Sequence, residues 1–176
     1  GAFLEHYMQD ESTRHDRRGP FRRWAPLLAV VVLALTFRLY RISDESLWHD
    51  ETASILCMDA GSLGQFLLEE RVGDPAMVPL FFTLEYVLWH ATGGSVIACR
   101  MMSIAFGIGA IVFLYLMTRR VFGDFSAFVA GACAAVAIQH VYYSQEIRMY
   151  ALYLFAAMVS MDAFHRILRG KSPAWW

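Results

Sequence analysis

The sequence predicts an all-α integral membrane protein, a transmembrane helix bundle with an outer-face loop that carries juxtamembrane amphipathic helices. Of its 176 residues, 57% are hydrophobic and 15% are aromatic, which exceeds the usage of ordinary soluble domains. Several apolar stretches approach the roughly 20 residues that a spanning helix needs. Arginines crowd the segment RHDRRGPFRR beside the first of these stretches, a pattern typical of the cytoplasmic side of a membrane.

Charge and cysteine content exclude several classes of protein. The formal net charge is -1, so there is no basic field to attract nucleic acid, and we expect no nucleic-acid partner. Cys57, Cys99 and Cys133 form neither a close pair nor a C-x-x-C motif, so neither a disulfide framework nor a zinc site is expected. No small-residue cleavage site follows the first apolar stretch, which favours a retained anchor over a secretory signal.

The order of polar and apolar segments gives a topology. We expect a basic cytoplasmic tail, then the N-terminal part of a transmembrane module over residues 24–168, and a cytoplasmic connection to further chain, so that the sequence is the N-terminal fragment of a longer protein. The expected elements are the tail 1–23, spans at about 24–41, 100–118, 125–143 and 149–168, the outer loop 42–99 and the connection 169–176.

Residues 76–92 leave two topologies open. As a fifth span they would turn the basic clusters TRR and HRILRGK to the outside, against the inward bias of positive charge. As an interfacial or re-entrant helix they leave four spans, with every basic cluster in the cytoplasm. The stretch has a proline-led start, Glu85 in its middle and His90 near its end, which favours the second topology. Scattered apolar residues between 55 and 67 predict one or two further short helices lying on the bilayer.

The stretch SLWHDETASI, residues 46–55, carries the first candidate site residues. Asp50 and Glu51 are adjacent acids, and Trp48 is suited to hold them at the headgroup level. A carboxylate held there can act as a general base toward a lipid-linked substrate. A solvated acidic loop is the alternative. A divalent cation, Mg or Mn, bound by His49 and the two acids stays open, although no cofactor is certain, because the spacing is not diagnostic.

The stretch SQEIRMYAL, residues 144–152, carries further candidates. Glu146 and Tyr150 share a face if this segment is helical. Arg148 would lie at the outer end of a span, against the inward bias of positive charge. Arg100 is the same kind of exception, at the outer start of the span that follows the outer loop. Arginine is suited to bidentate phosphate contact, so Arg100 and Arg148 are candidates for contacting a donor phosphate, and Glu146 and Tyr150 are further candidates for the same donor site. Interfacial tyrosines and snorkelling arginines are the alternatives.

Other polar residues in the spans have structural interpretations. Asp162 and Arg166 are four apart near the end of the last span, which predicts an ion pair. Gln139 and His140 fall near the outer end of the third span and are weaker candidates for lining a cavity. The third span is also rich in alanine and glycine, which predicts close helix packing.

Together these motifs resemble the glycosyltransferase C superfamily, and most closely the group of protein O-mannosyltransferases and aminoarabinose transferases. The shared features are a basic N-terminus and one span, an outer loop opening with W-x-D-E, the segment VPLFF, an arginine at the outer start of the next span, then TRRVFG and YYSQEIRMYAL. The resemblance covers about residues 27–164. It departs from the family at GDPAMVPLFF, where many relatives have His-Pro or Pro-Pro, and relatives contain more spans.

The resemblance implies a multi-pass enzyme of the inner or plasma membrane that acts in the cell envelope. Its N-terminus would be cytoplasmic and its active site would lie on the periplasmic or extracellular face. It would move a sugar from a polyprenyl-phosphate donor to a lipid, glycan or protein acceptor, with inversion. By the same likeness Asp50 is the catalytic base and Glu51 contacts acceptor or cation, while Arg100 and Arg148 match positions near the donor phosphate.

Two alternatives belong to other functional classes. A transporter would use the same charges to gate a polar path, although that class prefers broken helices and ionisable groups near the membrane midplane. A non-catalytic assembly subunit would use the small-residue face of the third span. Replacing Asp50 would abolish activity only in the enzyme.

Overall fold

The structure, a computed structural model, describes residues 20–40, 42–43, 49–58, 61–73 and 78–170, without the side chains of 20–23 and Asp50. Most of the expected cytoplasmic tail, Trp48 and residues 171–176 therefore lie outside the described residues. Within the described part the regular structure is entirely helical. The helices are α1 (Pro20–Leu39), α2 (His49–Cys57), α3 (Leu63–Gly73), α4 (Pro79–Ala91), α5 (Val96–Phe122), α6 (Asp124–Val136), α7 (Ile138–Gln145) and α8 (Tyr150–Leu168).

Two of these helices, α5 and α8, are long and apolar enough to cross a membrane, and α6 with α7 makes a third candidate if the bent pair counts as one span. The apolar part of α1, Trp24–Leu39, is shorter. Helix α4 has 13 residues, a rise of about 20 Å against a hydrocarbon core of about 30 Å. The predicted helical membrane protein is therefore supported at the level of two or three spans.

The four apolar elements alternate in direction. Helix α1 and the pair α6–α7 run one way, and α5 and α8 run the other. Small residues allow the closest approach: Val30 and Ala34 of α1 pack with Ala127 and Ala135 of α6. A Cβ added at Gly131 would lie 3.1 Å from Val30 Cγ1. The prediction of close packing by the third apolar stretch is thus confirmed, since bulkier residues would separate these backbones.

The third apolar stretch is broken, where the sequence predicted one continuous span. Ala137 has φ -60° and ψ 117°, and the axes of α6 and α7 differ by 58°. The break leaves carbonyl groups of α6 without helical partners. Arg38 provides a partner for one of these carbonyl groups, because its Nη1 donates to Ala135 O at 3.0 Å. A buried guanidinium on α1 thus stabilises an interruption that no proline or glycine marks.

One end of the bundle, here named the Trp24 end, is held by a cation–π contact and by ion pairs. The Arg119 guanidinium lies 5.4 Å from the centre of the Trp24 ring. Arg166 Nε donates to Asp162 Oδ2 at 2.8 Å, which confirms the predicted pair. Arg120 also contacts Asp162. The basic residues that end α5 and α8 therefore collect at the end where α1 begins.

The opposite end, named the Arg38 end, is covered by the short helices α2, α3 and α4. Their aromatic residues form a second core with the first turns of α5 and α8. Its buried members are Met58, Phe66, Phe81, Phe82, Cys99, Ile147, Met149 and Leu152. Burying each large side chain contributes about 1.5–3 kcal/mol, which is enough to hold three short helices that would be marginal alone.

Candidate functional site

A buried carboxylate, Glu51, ties together three parts of the chain at the Arg38 end. Its Oε1 accepts a hydrogen bond from the backbone N–H of Ile147 at 2.7 Å. Its Oε2 lies 3.6 Å from Arg100 Nη2, and both side chains are at most 5% exposed. Arg100 Nη1 also donates to Ile42 O at 2.6 Å. The segment after α1, the start of α2, the start of α5 and the α7–α8 connection therefore meet in one network.

Local backbone geometry makes this network possible. Helix α7 ends at Gln145 because Glu146 adopts an extended conformation, with φ -79° and ψ 146°. The N–H of Ile147 is therefore outside any helical ladder and needs another acceptor when buried. At the start of α5, Ser95 Oγ accepts from Ala98 N at 3.3 Å, an N-cap that fixes where the helix begins and hence where Arg100 lies.

Two further carboxylates lie in this region. Glu70 of α3 is 6% exposed, and its Oε2 accepts a hydrogen bond from Ser54 Oγ of α2 at 3.3 Å. Glu85 of α4 is fully buried, and neither of its oxygens has a hydrogen-bond partner within the described part of the chain. Burial and the negative charge of Glu70 raise the pKa of Glu85 to about 8, although Arg148 acts in the opposite direction. Glu85 is therefore mainly neutral at pH 7.

The protonation of Glu85 balances the charge of the region. Glu51 and Glu70 carry two negative charges, and Arg100 and Arg148 carry two positive charges. All four side chains are at least nine-tenths buried. A buried ion is costly unless it is paired, so a third ionised carboxylate would be unfavourable. With Glu85 protonated, the formal charges of these five described groups sum to zero.

Arg148 lines a cavity between α2 and α3, named the Arg148 cavity, of about 120 Å³. Its other described lining residues are Ala53, Ser54, Cys57, Glu69, Glu70 and Gly73. Burial and the negative charges of Glu70 and Glu69 raise the pKa of the Cys57 thiol. The cavity is thus walled by small residues and carries carboxylate, hydroxyl, thiol and guanidinium groups.

A second, larger cavity of about 330 Å³, named the α7–α8 groove, lies beside the helix break. Its described lining residues are Ala137, Gln139, His140, Tyr143, Ser144, Tyr150, Ala151 and Leu154. Behind it, Arg38 contacts His140 Nδ1 and is fully buried. Most of the lining surface is apolar, although five of the eight lining residues carry a polar group, as in sites that take an amphiphilic ligand.

The structure brings some predicted site residues together and separates others. Glu51, Arg100 and Arg148 lie in one charged region, whereas Tyr150 lines the α7–α8 groove, where its ring centre is 4.9 Å from that of Tyr143. Glu146 lies in a non-helical turn. The segment from Glu146 to Met149 is not helical and α8 begins only at Tyr150, so the condition under which Glu146 and Tyr150 would share a helical face is not met.

The acid pair itself is only partly described. Asp50 lies in the first turn of α2, but its side chain lies outside the described residues. Among the described residues, no three His, Cys, Asp or Glu side chains are grouped to hold a metal ion. The Glu51 carboxylate also faces the Arg100 guanidinium, whose positive charge would repel Mg²⁺ or Mn²⁺. Binding of a divalent cation by His49, Asp50 and Glu51 therefore stays a hypothesis from the sequence, and the contact with Arg100 disfavours Glu51 as a ligand.

Sequence reasoning missed three residues of this region as site residues. Arg38 ends an apolar stretch, and Glu85 interrupts another; an ionisable residue in such a context is itself a signal of a functional or structural site. Glu70 gave no such signal, because it belongs to the polar pattern LEER. Only the packing of α3 against α2 buries it.

No family model, curated protein or solved structure matches this chain.

Proposed function

We propose that the chain forms four membrane spans with the Arg38 end on the outer face. Three observations support this orientation. The basic residues of α5 and α8 collect at the Trp24 end, as expected for a cytoplasmic side. Helix α4 is too short to span. The alternating directions of α1, α5, α6–α7 and α8 return the chain to the Trp24 end after each pair of crossings.

Within that topology we propose a membrane glycosyltransferase that moves a sugar from a polyprenyl-phosphate donor to a lipid, glycan or protein acceptor. The observation that carries the proposal is the hydrogen bond between Glu51 Oε1 and Ile147 N. It joins the helix that begins with the acid pair to the turn that contains Arg148. Acid–base and cationic groups thereby share the membrane end where a lipid-linked donor, which cannot leave the bilayer, must react.

The proposed reaction is a single displacement. Asp50 takes the proton of the acceptor hydroxyl, whose oxygen attacks the anomeric carbon as the bond from that carbon to the carrier phosphate oxygen breaks. General-base assistance contributes roughly a hundred- to ten-thousand-fold. Arg148 contacts the donor head group from the cavity that it lines. Arg100 and Glu51 act as positioning residues, because their buried contacts hold α2 against the α7–α8 turn.

A transfer assay with the full-length protein in membranes tests this proposal. Asp50→Asn should reduce transfer from a radiolabelled polyprenyl-phosphate hexose or pentose by at least a hundredfold. The control is Asp124→Asn, because Asp124 has a 68% exposed side chain at the Trp24 end, and it should retain activity. Transfer at the wild-type rate by Asp50→Asn, or a product with retained anomeric configuration, would contradict the proposed base.

One observation favours a transporter as the second candidate. A broken helix beside a buried Arg38 and His140 is a feature of substrate paths. However, α6 contributes 13 residues before the break, about 20 Å from the Trp24 end, so the break lies past the midplane of a core of about 30 Å. Arg38 likewise lies in the last turn of α1. Sugar flux into liposomes that depends on Arg38, without glycosyl transfer, would favour the transporter.

A further inference from the structure

The Arg148 cavity has the size and chemistry of a site for one small polar molecule or ring. Its volume of about 120 Å³ is several times the roughly 10–15 Å³ that one water requires, yet smaller than the 300 Å³ or more typical of drug-sized ligands. Ala53 and Gly73 leave the space open. Ser54 and Glu70 are fixed by their mutual hydrogen bond, so part of the polar lining is preorganised.

The charges around this cavity disfavour an anion. Among the described lining residues, Glu69 and Glu70 supply two carboxylates against the guanidinium of Arg148, so their formal charges sum to one negative charge. The Cys57 thiol lies beside the same two carboxylates. Burial, and then the negative charges of Glu70 and Glu69, raise its pKa. A phosphate or a uronate inside the cavity would face both acids; the repulsion is strong from the buried Glu70 and weaker from Glu69, which is exposed to water and salt.

We propose that the Arg148 cavity binds the ring of an uncharged or amino-bearing sugar and rejects acidic sugars, an inference that rests on the glycosyl transfer proposed above. Arg148 donates hydrogen bonds to ring hydroxyl oxygens. Glu69 and Glu70 accept hydrogen bonds from hydroxyl or ammonium groups. The carrier phosphate then remains outside this cavity, and Glu69 and Glu70 determine which sugars the site accepts.

Cys57 provides a native reporter that needs no knowledge of the reaction. Purified full-length protein is treated with a cationic trimethylammonium-ethyl or an anionic sulfonatoethyl methanethiosulfonate, and mass spectrometry follows modification of Cys57. Each rate is divided by the rate for free 2-mercaptoethanol. The cationic reagent should react about tenfold faster than the anionic one after this correction. Glu69→Gln should reduce that preference, whereas the remote Asp124→Asn should leave it unchanged.

Protection by simple glycosides then tests the ligand class. A methyl hexoside and a methyl aminohexoside should slow modification of Cys57, and the corresponding methyl uronide should not. Glu69→Gln should allow the uronide to protect. Equal reactivity toward the two reagents, or protection by the uronide in the wild type, would overturn the inference.

This outcome is distinguishable from failure of the proposed function. If transfer occurs but neutral and acidic donor sugars are used equally, the assignment of Glu69 and Glu70 is wrong while glycosyl transfer stands. If no donor is turned over but neutral glycosides still protect Cys57, the cavity is a sugar site of a protein with another function.

Discussion

The neutral state of the buried Glu85 makes the folded protein lose stability as pH rises. An unfolded carboxyl titrates near pH 4.5, whereas burial and Glu70 raise the pKa of Glu85 in the fold to about 8. Between these two values the folded state holds a proton that the unfolded state lacks. Unfolding then releases a proton, so the free energy of unfolding falls by about 1.4 kcal/mol for each pH unit. Over the whole interval the loss is at most about 5 kcal/mol.

The test is thermal unfolding in detergent from pH 5.5 to pH 9, followed by tryptophan fluorescence. Glu85→Gln replaces the carboxyl with a neutral group of the same shape, so its advantage in free energy of unfolding over the wild type should grow from about 1.4 kcal/mol at pH 5.5 to about 5 kcal/mol at pH 9. The matched control is the exposed Glu69→Gln, expected within about 0.5 kcal/mol of the wild type. Parallel pH profiles for Glu85→Gln and the wild type would refute the raised pKa.

Two further predictions concern packing and pairing, both measured as melting temperatures of purified protein. Glu51→Gln should cost about 3 kcal/mol or more, because it leaves the buried Arg100 guanidinium without its counter-charge; a loss below about 0.5 kcal/mol would show that the pair is not formed. Gly107→Ala should destabilise by about 1–3 kcal/mol, because its Cβ would overlap the short Ser144 side chain. The control is Gly64→Ala, whose added Cβ meets open space, and it should be neutral or stabilising by up to about 1 kcal/mol. Equal effects of the two alanine substitutions would contradict the close contact between Gly107 and Ser144.

Local patterns predicted the helices because the relevant physics is local. Apolar stretches of spanning length predicted α5 and α8, and the small residues of the third stretch predicted that α6 packs closely, although not that its partner is α1. The break at Ala137 could not be predicted, since the group that stabilises it, Arg38, lies 97 positions before the residue that it contacts, Ala135. Its flanking segment, AAVAIQH, contains neither proline nor glycine, so local propensity gave no warning.

In the candidate site, likewise, the residue types were predictable and their contacts were not. The sequence indicated Glu51, Arg100 and Arg148 because charges beside apolar stretches are conspicuous. It did not indicate that Glu51 is a buried link to Ile147, 96 positions away. Nor could it show that Glu85 would stay protonated, because that depends on how α3 and α4 bring Glu70 near it. Residue types were predictable, whereas protonation and contact depended on tertiary packing.

The central claim is that the acidic loop and the Arg148 turn lie on one outer face of the membrane. Single cysteines replacing Thr92, Glu146 or Arg169, in a protein lacking the native Cys57 and Cys133, can be labelled on intact cells with a membrane-impermeant maleimide. Thr92→Cys and Glu146→Cys should react from outside, and Arg169→Cys should react only after permeabilisation. Labelling of Thr92→Cys and Glu146→Cys from opposite sides, or of both only from the cytoplasm, would contradict the claim.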